Sequence, residues 1–327
     1  RNVTIFYDIT NPNVQITYPQ NISYNVNVSA LNYTYFDANP GSCWYSRNGG
    51  AANSTSVAAG TNFTLVTSTE GSNTWIVYCN DSVGNTNSSS VIFFKDTISP
   101  AITNMTVYPS LPLINNGTAQ NLSVNFSSNE YPINVTFNLY NSTGGIVSTQ
   151  GPTTITSASQ LPVNYTLPVL ISGTYSLNMT IADSIGNLNI TNLGTITVDA
   201  IAPNGTILAP QNGSFNNTAQ QNFTINLSDN NGLANTTLYI YNETGLFNQT
   251  TVNLGGATQG TVGIVVGLVD GVYRWFWNVI DLANNFFSTQ TIVGNYTVTI
   301  DSRAPSISLV YPQNTSYNVN VSALNYT

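Results

Sequence analysis

The sequence predicts an all-β chain: tandem antiparallel β-sandwich domains in an extended array. Three observations predict it. The 327 residues exceed one small sandwich and suit three of roughly 100 residues each. Tyr 19, Phe 13 and Trp 4 alternate with polar residues at strand spacing, which separates the chain from a disordered linker of similar polarity. Turn and linker markers then recur about every 100 residues.

The linker marker is an apolar strand, an Asp, and a Pro four residues on: Asp8 with Pro12, Asp96 with Pro100, Asp199 with Pro203, Asp301 with Pro305. Before each Asp a strand alternates in step: Ile5 and Tyr7, Phe93 and Lys95, Ile196 and Val198, Val298 and Ile300. Pro ends ladder pairing and stiffens a short connection, so each marker reads as one sandwich handing over to the next. The expected units are 12–98, 99–201 and 202–303, preceded at 1–11 by the last strand of an earlier unit. Residues 304–327 open the next copy of the first unit. Tyr18–Thr34 and Tyr311–Thr327 are identical except that Ile22 becomes Thr315, an offset of 293 residues. The parent protein is therefore expected to repeat a block of that length.

A turn marker precedes each linker: Asp81-Ser82-Val83-Gly84-Asn85, Asp183-Ser184-Ile185-Gly186-Asn187 and Asp281-Leu282-Ala283-Asn284-Asn285. Each reads as a hairpin between the last two strands. Counting back by twos gives apolar stripes: Cys79, Val77, Trp75; Ile181, Met179, Leu177; Val279, Trp277, Trp275. The stripes end at Asn73, Tyr175 and Tyr273, each two residues after Gly71, Gly173 or Gly271.

This series resembles the Ig-like and fibronectin-III-like repeats of long bacterial and archaeal surface proteins, over nearly the whole chain. The resemblance implies tandem Ig-like sandwiches and a tyrosine corner at Tyr175 and Tyr273. Unit 1 departs from it with Asn73 in the Tyr position, and unit 3 with Asn284 in the Gly position. It also puts Cys43, beside Trp44, on the strand neighbouring that of Cys79. A disulfide joining these two is the expected reading in an extracellular setting.

Only 6% of residues are charged, against roughly 25% in ordinary soluble domains, so another solubilising layer is required. Sugar is the candidate, because about 29 Asn-x-Ser/Thr acceptor patterns occur where chance gives about 12. In unit 2 Asn121 and Asn125 flank Leu122, Val124 and Phe126; in unit 3 Asn222 and Asn226 flank Phe223, Ile225 and Leu227. Period-two geometry sets each Asn pair opposite the apolar set. The same offset carries Asn134 to Asn235 and Asn141 to Asn242, and Asn178 faces away from Tyr175, Leu177 and Met179. The remaining expected acceptors are Asn2, Asn21, Asn27, Asn32, Asn53, Asn62, Asn87, Asn104, Asn116, Asn164, Asn189, Asn204, Asn212, Asn248, Asn295, Asn314, Asn320 and Asn325. Asn80 and Asn216 match the pattern but sit crowded, and are expected to stay empty.

Other chemistry is thin. With no histidine the usual catalytic base is missing, and Glu70, Glu130 and Glu243 are isolated in sequence, so no enzyme is expected. Five Lys and Arg residues form no basic stripe for nucleic acid. No apolar run reaches the roughly 18 residues of a membrane span, and Arg1 reads as an internal position. Paired junction acids (Asp81 with Asp96, Asp183 with Asp199, Asp281 with Asp301) and the Asp229-Asn230-Asn231-Gly232 turn offer oxygens to Ca²⁺, but no dense Asp-x-Asp cluster appears and Asx turns explain them, so no cofactor is expected. Trp44, Tyr241 and Phe286-Phe287 are candidate sugar-stacking surfaces, with core packing the commoner role. The expected function is a glycosylated extracellular filament, stalk or surface layer whose partners are copies of itself; the alternatives are the repeat spacer of a cell-surface adhesin, or a carbohydrate-binding repeat.

Overall fold

The computed structural model describes residues 7–50 and 52–327, with the side chain of residue 52 left undescribed. The expected strand around Ile5 and the acceptor Asn2 lie outside them. By contacts the chain divides into two compact units: Arg1–Pro112 with Gln120–Pro168 and Tyr175–Thr195, and Leu113–Ala119 with Val169–Thr174 and Ile196–Thr327.

The fold is all-β, with three successive pairs of sheets. The first pair uses β1 (Asn13–Tyr18), β2 (Ser23–Tyr24), β3 (Ala30–Phe36), β4 (Pro40–Arg47), β5 (Ala52–Asn53), β6 (Val57–Ala58), β7 (Phe63–Thr64), β8 (Gly71–Asp81) and β9 (Thr86–Lys95). One sheet runs β1-β3-β7 and the other β2-β9-β8-β4-β5, with β6 on β4. The second pair uses β10 (Ile102–Tyr108), β11 (Leu113–Asn115), β12 (Gln120–Ser128), β13 (Ile133–Asn141), β14 (Ile146–Ile155), β15 (Val163–Leu167), β16 (Gly173–Ala182) and β17 (Leu188–Val198). Its sheets run β10-β12-β15 and β11-β17-β16-β13-β14. The third repeats the plan with β18 (Asn204–Ala209), β19 (Ser214–Asn216), β20 (Gln220–Ser228), β21 (Leu233–Asn242), β22 (Gly245–Asn253), β23 (Gln259–Gly267), β24 (Gly271–Asp281), β25 (Phe286–Ser288), the five-residue α1 (Thr289–Val293) and β26 (Tyr296–Ile300). Its sheets run β18-β20-β23 and β19-β26-β24-β21-β22, with β25 on β24. A final hairpin joins β27 (Leu309–Tyr311) to β28 (Asn325–Tyr326).

Each sandwich begins the same way. The chain pairs antiparallel in one sheet (β1, β10, β18), passes Pro19, Pro109 or Pro210, and then lies parallel to the last strand of the other sheet (β2 on β9, β11 on β17, β19 on β26). Proline has no N–H for the first ladder, so it stands where the chain changes sheets.

The apolar stripes face inward as the alternation requires. Trp75, Val77 and Cys79 pack with Leu31, Tyr33 and Phe93, and Trp275, Trp277 and Val279 with Phe223, Ile225 and Leu238. In the second sandwich Leu122, Val124, Phe126, Leu177, Met179 and Ile181 are buried.

The corner is a finding in two chemistries. In the third sandwich the Tyr273 hydroxyl donates to the Val269 carbonyl, 3.2 Å, and accepts from the Val269 N–H, 3.2 Å. In the first, Asn73 serves the same backbone position: its Nδ2 donates to Thr69 O at 2.7 Å and its Oδ1 accepts from Thr69 N at 2.9 Å. An amide carries both a donor and an acceptor, which are the two functions that the phenol supplies.

Candidate functional site

The repeated chemistry of this chain lies at its linkers. At the incoming end of each sandwich, the turn that follows its long strand β8, β16 or β24 is organised by one Asp. Asp81 Oδ1 accepts from Val83 N, Gly84 N and Asn85 N at 3.0, 2.7 and 2.9 Å. Asp183 repeats this with Ile185, Gly186 and Asn187 at 2.9, 2.7 and 2.9 Å, and Asp281 holds Ala283 and Asn285, both at 2.8 Å. The turn needs a left-handed residue. Gly84 and Gly186 supply it (φ 103° and 96°), and Asn284 takes the same region (φ 65°), as Asn does at lower cost than most side chains.

The Asn that closes each turn also holds the linker. Asn85 Nδ2 donates to Asp81 Oδ2 at 2.7 Å and to the Asp8 carbonyl at 3.1 Å. Asn187 does so to Asp183 Oδ2 and Asp96 O at 2.7 and 2.9 Å, and Asn285 to Asp281 Oδ2 and Asp199 O at 2.8 and 2.7 Å. Both amide hydrogens are thereby used. Two acceptor-pattern residues add a second clasp, with Asn87 Nδ2 on Pro12 O and Asn189 Nδ2 on Pro100 O, each 2.8 Å.

The outgoing sandwich grips the linkers that begin at Asp96, Asp199 and Asp301 through the residue before its turn glycine, so the first two of these are held from both sides. Glu70 accepts from Thr97 Oγ1 (2.6 Å) and Thr97 N (3.1 Å) and pairs with Lys95 (2.9 Å). Ser172 Oγ accepts from Ala200 N at 3.0 Å, and Asp270 from Ser302 N and Oγ at 2.8 and 2.7 Å. The Thr97 hydroxyl, followed by Lys95, brings the Glu70 carboxyl down to about 2, and Ser302 lowers that of Asp270. Glu70, isolated in sequence, is a linker group in space.

Three of the four linker Asp residues, Asp8, Asp96 and Asp199, meet two further acids. Asp8, Asp37 and Asp81; Asp96, Glu130 and Asp183; and Asp199, Asp229 and Asp281 each bring one oxygen per residue within 4.8 Å of one another. Acids that form no Asp-x-Asp run in the sequence are thus assembled from three separate segments. The junction pairs differ from those expected: Asp81 meets Asp8 and not Asp96, Asp183 meets Asp96, and Asp281 meets Asp199. The crowding shows in Glu130, whose carboxyl is pushed up by burial and then by Asp96 and Asp183. Asp8 is lowered by the Thr10 hydroxyl and N–H and by Asn39. Burial pushes Asp81 up, but bonds from Asn85, Gly84 and Val83 outweigh it and leave it lowered. Oxygen-only trios of this kind are suited to hard cations.

Cys43 and Cys79 form a disulfide between β4 and β8, directly opposite in register and fully buried. The stacking candidates are largely occupied by neighbours. Trp44 stacks on Tyr78 (ring centroids 5.9 Å apart), and Tyr241 and Tyr239 both stack on Phe276. Phe287 packs against the third core, while Phe286 is exposed.

Among the described residues no acceptor asparagine is buried. Asn21, Asn27, Asn53, Asn62, Asn104, Asn121, Asn125, Asn141, Asn164, Asn204, Asn212, Asn222, Asn226 and Asn295 are exposed, as are Asn87, Asn314, Asn320 and Asn325. Asn32, Asn116, Asn134, Asn178, Asn189, Asn235, Asn242 and Asn248 are half-buried. Asn216 is half-buried with its Nδ2 on Gln221 Oε1 at 2.9 Å, and Asn80 accepts from Ser42 N at 2.8 Å.

No protein-family model and no curated protein matches the chain. Solved structures do. The fibronectin(III)-like modules of Clostridium thermocellum CbhA align at 16% identity over 62% of this chain and 97% of theirs, with a TM-score of 0.37. A tetra-tandem repeat from the extending region of a large adhesion protein aligns at 20% identity over 91% of this chain and 76% of that one, TM-score 0.33. A structure concerned with the host cell surface retention of a 1.5-MDa bacterial ice-binding adhesin aligns at 15% identity over 89% of this chain and 98% of that one, TM-score 0.36. The structural neighbours of this chain include fibronectin(III)-like modules and tandem repeats, two of these three coming from adhesion proteins.

Proposed function

We propose that the chain is a segment of the tandem Ig-like spacer of a large extracellular surface protein of the adhesin type, holding other parts of that protein away from the cell. The observation that carries this reading is the linker architecture. Successive linkers are gripped by the sandwich they leave and by the sandwich they enter, through the same positions each time. A binding module or enzyme needs one differentiated site; a spacer needs one junction repeated. A filament or surface layer also requires contacts between separate copies, whereas a spacer requires only covalent repetition, which the near-identity of Tyr18–Thr34 and Tyr311–Thr327 supports.

The buried Cys43–Cys79 bond fits an oxidising, extracellular setting. Within the same reading, the acceptor asparagines carry N-glycans that replace charge as the solubilising layer. Asn121 and Asn222 are the sites to examine first, being exposed opposite buried stripes.

The test is surface display of one, two or three copies of the chain between a membrane anchor and an epitope tag. The tag's distance from the membrane is expected to grow with copy number, and a distance independent of copy number refutes the spacer reading. Glycopeptide mass spectrometry of the native protein addresses the sugar separately; unmodified Asn121 and Asn222 would remove that part alone.

A further inference from the structure

We propose that Asp199, Asp229 and Asp281 form a binding site for a hard divalent cation, Ca²⁺ by its chemistry, at the linker entering the third sandwich. Their carboxylate oxygens lie within 4.8 Å of one another. Two oxygens bound to one Ca²⁺ at about 2.4 Å can be at most about 4.8 Å apart, so one oxygen from each residue meets the pairwise distance condition for sharing an ion.

The second observation is unused coordinating capacity where it is most costly. Asp199 is only 1% exposed, and its Oδ2 is buried without a hydrogen-bond partner. Its other oxygen is committed to Asn230 Nδ2 at 3.0 Å and Ile201 N at 3.1 Å. Asp229 repeats the division: Oδ2 accepts from Asn231 N and Gly232 N at 2.8 and 2.7 Å, while Oδ1 is buried and unpartnered. A buried carboxylate oxygen with no donor is strongly disfavoured. The ion pairs found among the described residues, Lys95 with Glu70 and Arg303 with Asp270, lie elsewhere. A bound cation answers both needs at once, compensating the charge and coordinating the free oxygens.

The three donors come from the linker, from the loop after β20 and from the turn after β24, so one ion ties together three segments. Positions equivalent to these hold Asp8, Asp37 and Asp81 in the first sandwich, and Asp96, Glu130 and Asp183 in the second. All the donors are oxygens, which disfavours Zn²⁺ and leaves Ca²⁺ ahead of the smaller, geometrically stricter Mg²⁺. The proposal holds whether or not the chain is a spacer.

Isothermal titration of the chelator-treated chain with CaCl₂ tests it, alongside Asp229→Asn, which keeps an oxygen for the turn bonds and removes the charge. The wild type is expected to bind at least one equivalent more than D229N, or the same site at least tenfold more tightly, with Mg²⁺ weaker than Ca²⁺ at that site. No saturable Ca²⁺ binding by the wild type, or identical binding by D229N, overturns the proposal. Should D229N fail to fold, amide hydrogen exchange of the wild type decides. Slower exchange in Ca²⁺ than in EDTA across 199–203, 229–232 and 281–285 supports the site, and unchanged exchange there overturns it.

Discussion

Reducing the Cys43–Cys79 bond isolates one stabilising element in one sandwich, because no other cysteine exists to exchange with it. The bond spans a sequence separation of 36, for which the loop-closure relation gives about 13 cal/mol/K, or about 4 kcal/mol at 25 °C. Both sulfurs lie in the fully buried core beside Trp75 and Phe93. Reduction leaves that packing in place, so the loss comes chiefly from the freed unfolded chain. For a domain of this size, about 4 kcal/mol lowers the melting temperature by about 15–30 °C. Scanning calorimetry with and without a phosphine reductant reads the shift, and peptide-level hydrogen exchange assigns it to residues 12–95. A loss below about 1 kcal/mol, or an equal shift of the third sandwich, would refute the reasoning.

Three further outcomes follow from groups at the corners and linkers. Tyr273→Phe removes a hydroxyl bonded to the partly solvated Val269 backbone and should cost about 1 kcal/mol in urea denaturation. Asn73→Ala should cost more, about 2–3 kcal/mol, because Asn73 is 1% exposed and bonds both Thr69 and Gly71. Equal costs would contradict the added worth of the buried amide's bonds to both Thr69 and Gly71. Glu70 is held at about 2, below its ordinary 4.5. Such a depressed carboxyl contributes stability that is full above the unfolded value and is lost as pH falls from about 4.5 to about 2. Glu70→Gln should therefore flatten the acid limb of the melting temperature of the first sandwich in that window; an unchanged limb would contradict the Thr97 and Lys95 contacts.

Most of the fold was legible because a strand writes itself locally. Alternation with a period of two decided which of Leu122, Val124 and Phe126 go inward and sent Asn121 and Asn125 outward, and no distant residue had to be known. The turn motifs were legible for the same reason, since Asp81 bonds residues two to four positions away. Asn73 and Asn284 looked like departures because a residue name was being matched where backbone chemistry mattered: a donor and acceptor in one case, a tolerated left-handed φ in the other.

The acidic junctions were misread because they are contacts between segments. Asp81 and Asp96 are near in sequence and flank one hairpin strand, which invited pairing them. Yet the turn stands at one end of β9 and Asp96 at the other, and that strand is 10 residues long. At about 3.3 Å per residue the two acids are about 33 Å apart. The turn of each sandwich must therefore meet the linker coming in and not the one going out. The same alternation of strand direction returns the loop after β3, β12 or β20 to the incoming end, which brings Asp37, Glu130 or Asp229 to the trio. A signal was present: each acid stands one or two residues beyond the end of the equivalent strand, at Phe36, Ser128 and Ser228. It becomes readable only once strand direction has been followed through the whole sandwich, because spacing along the chain says nothing about which end of a sheet an acid occupies.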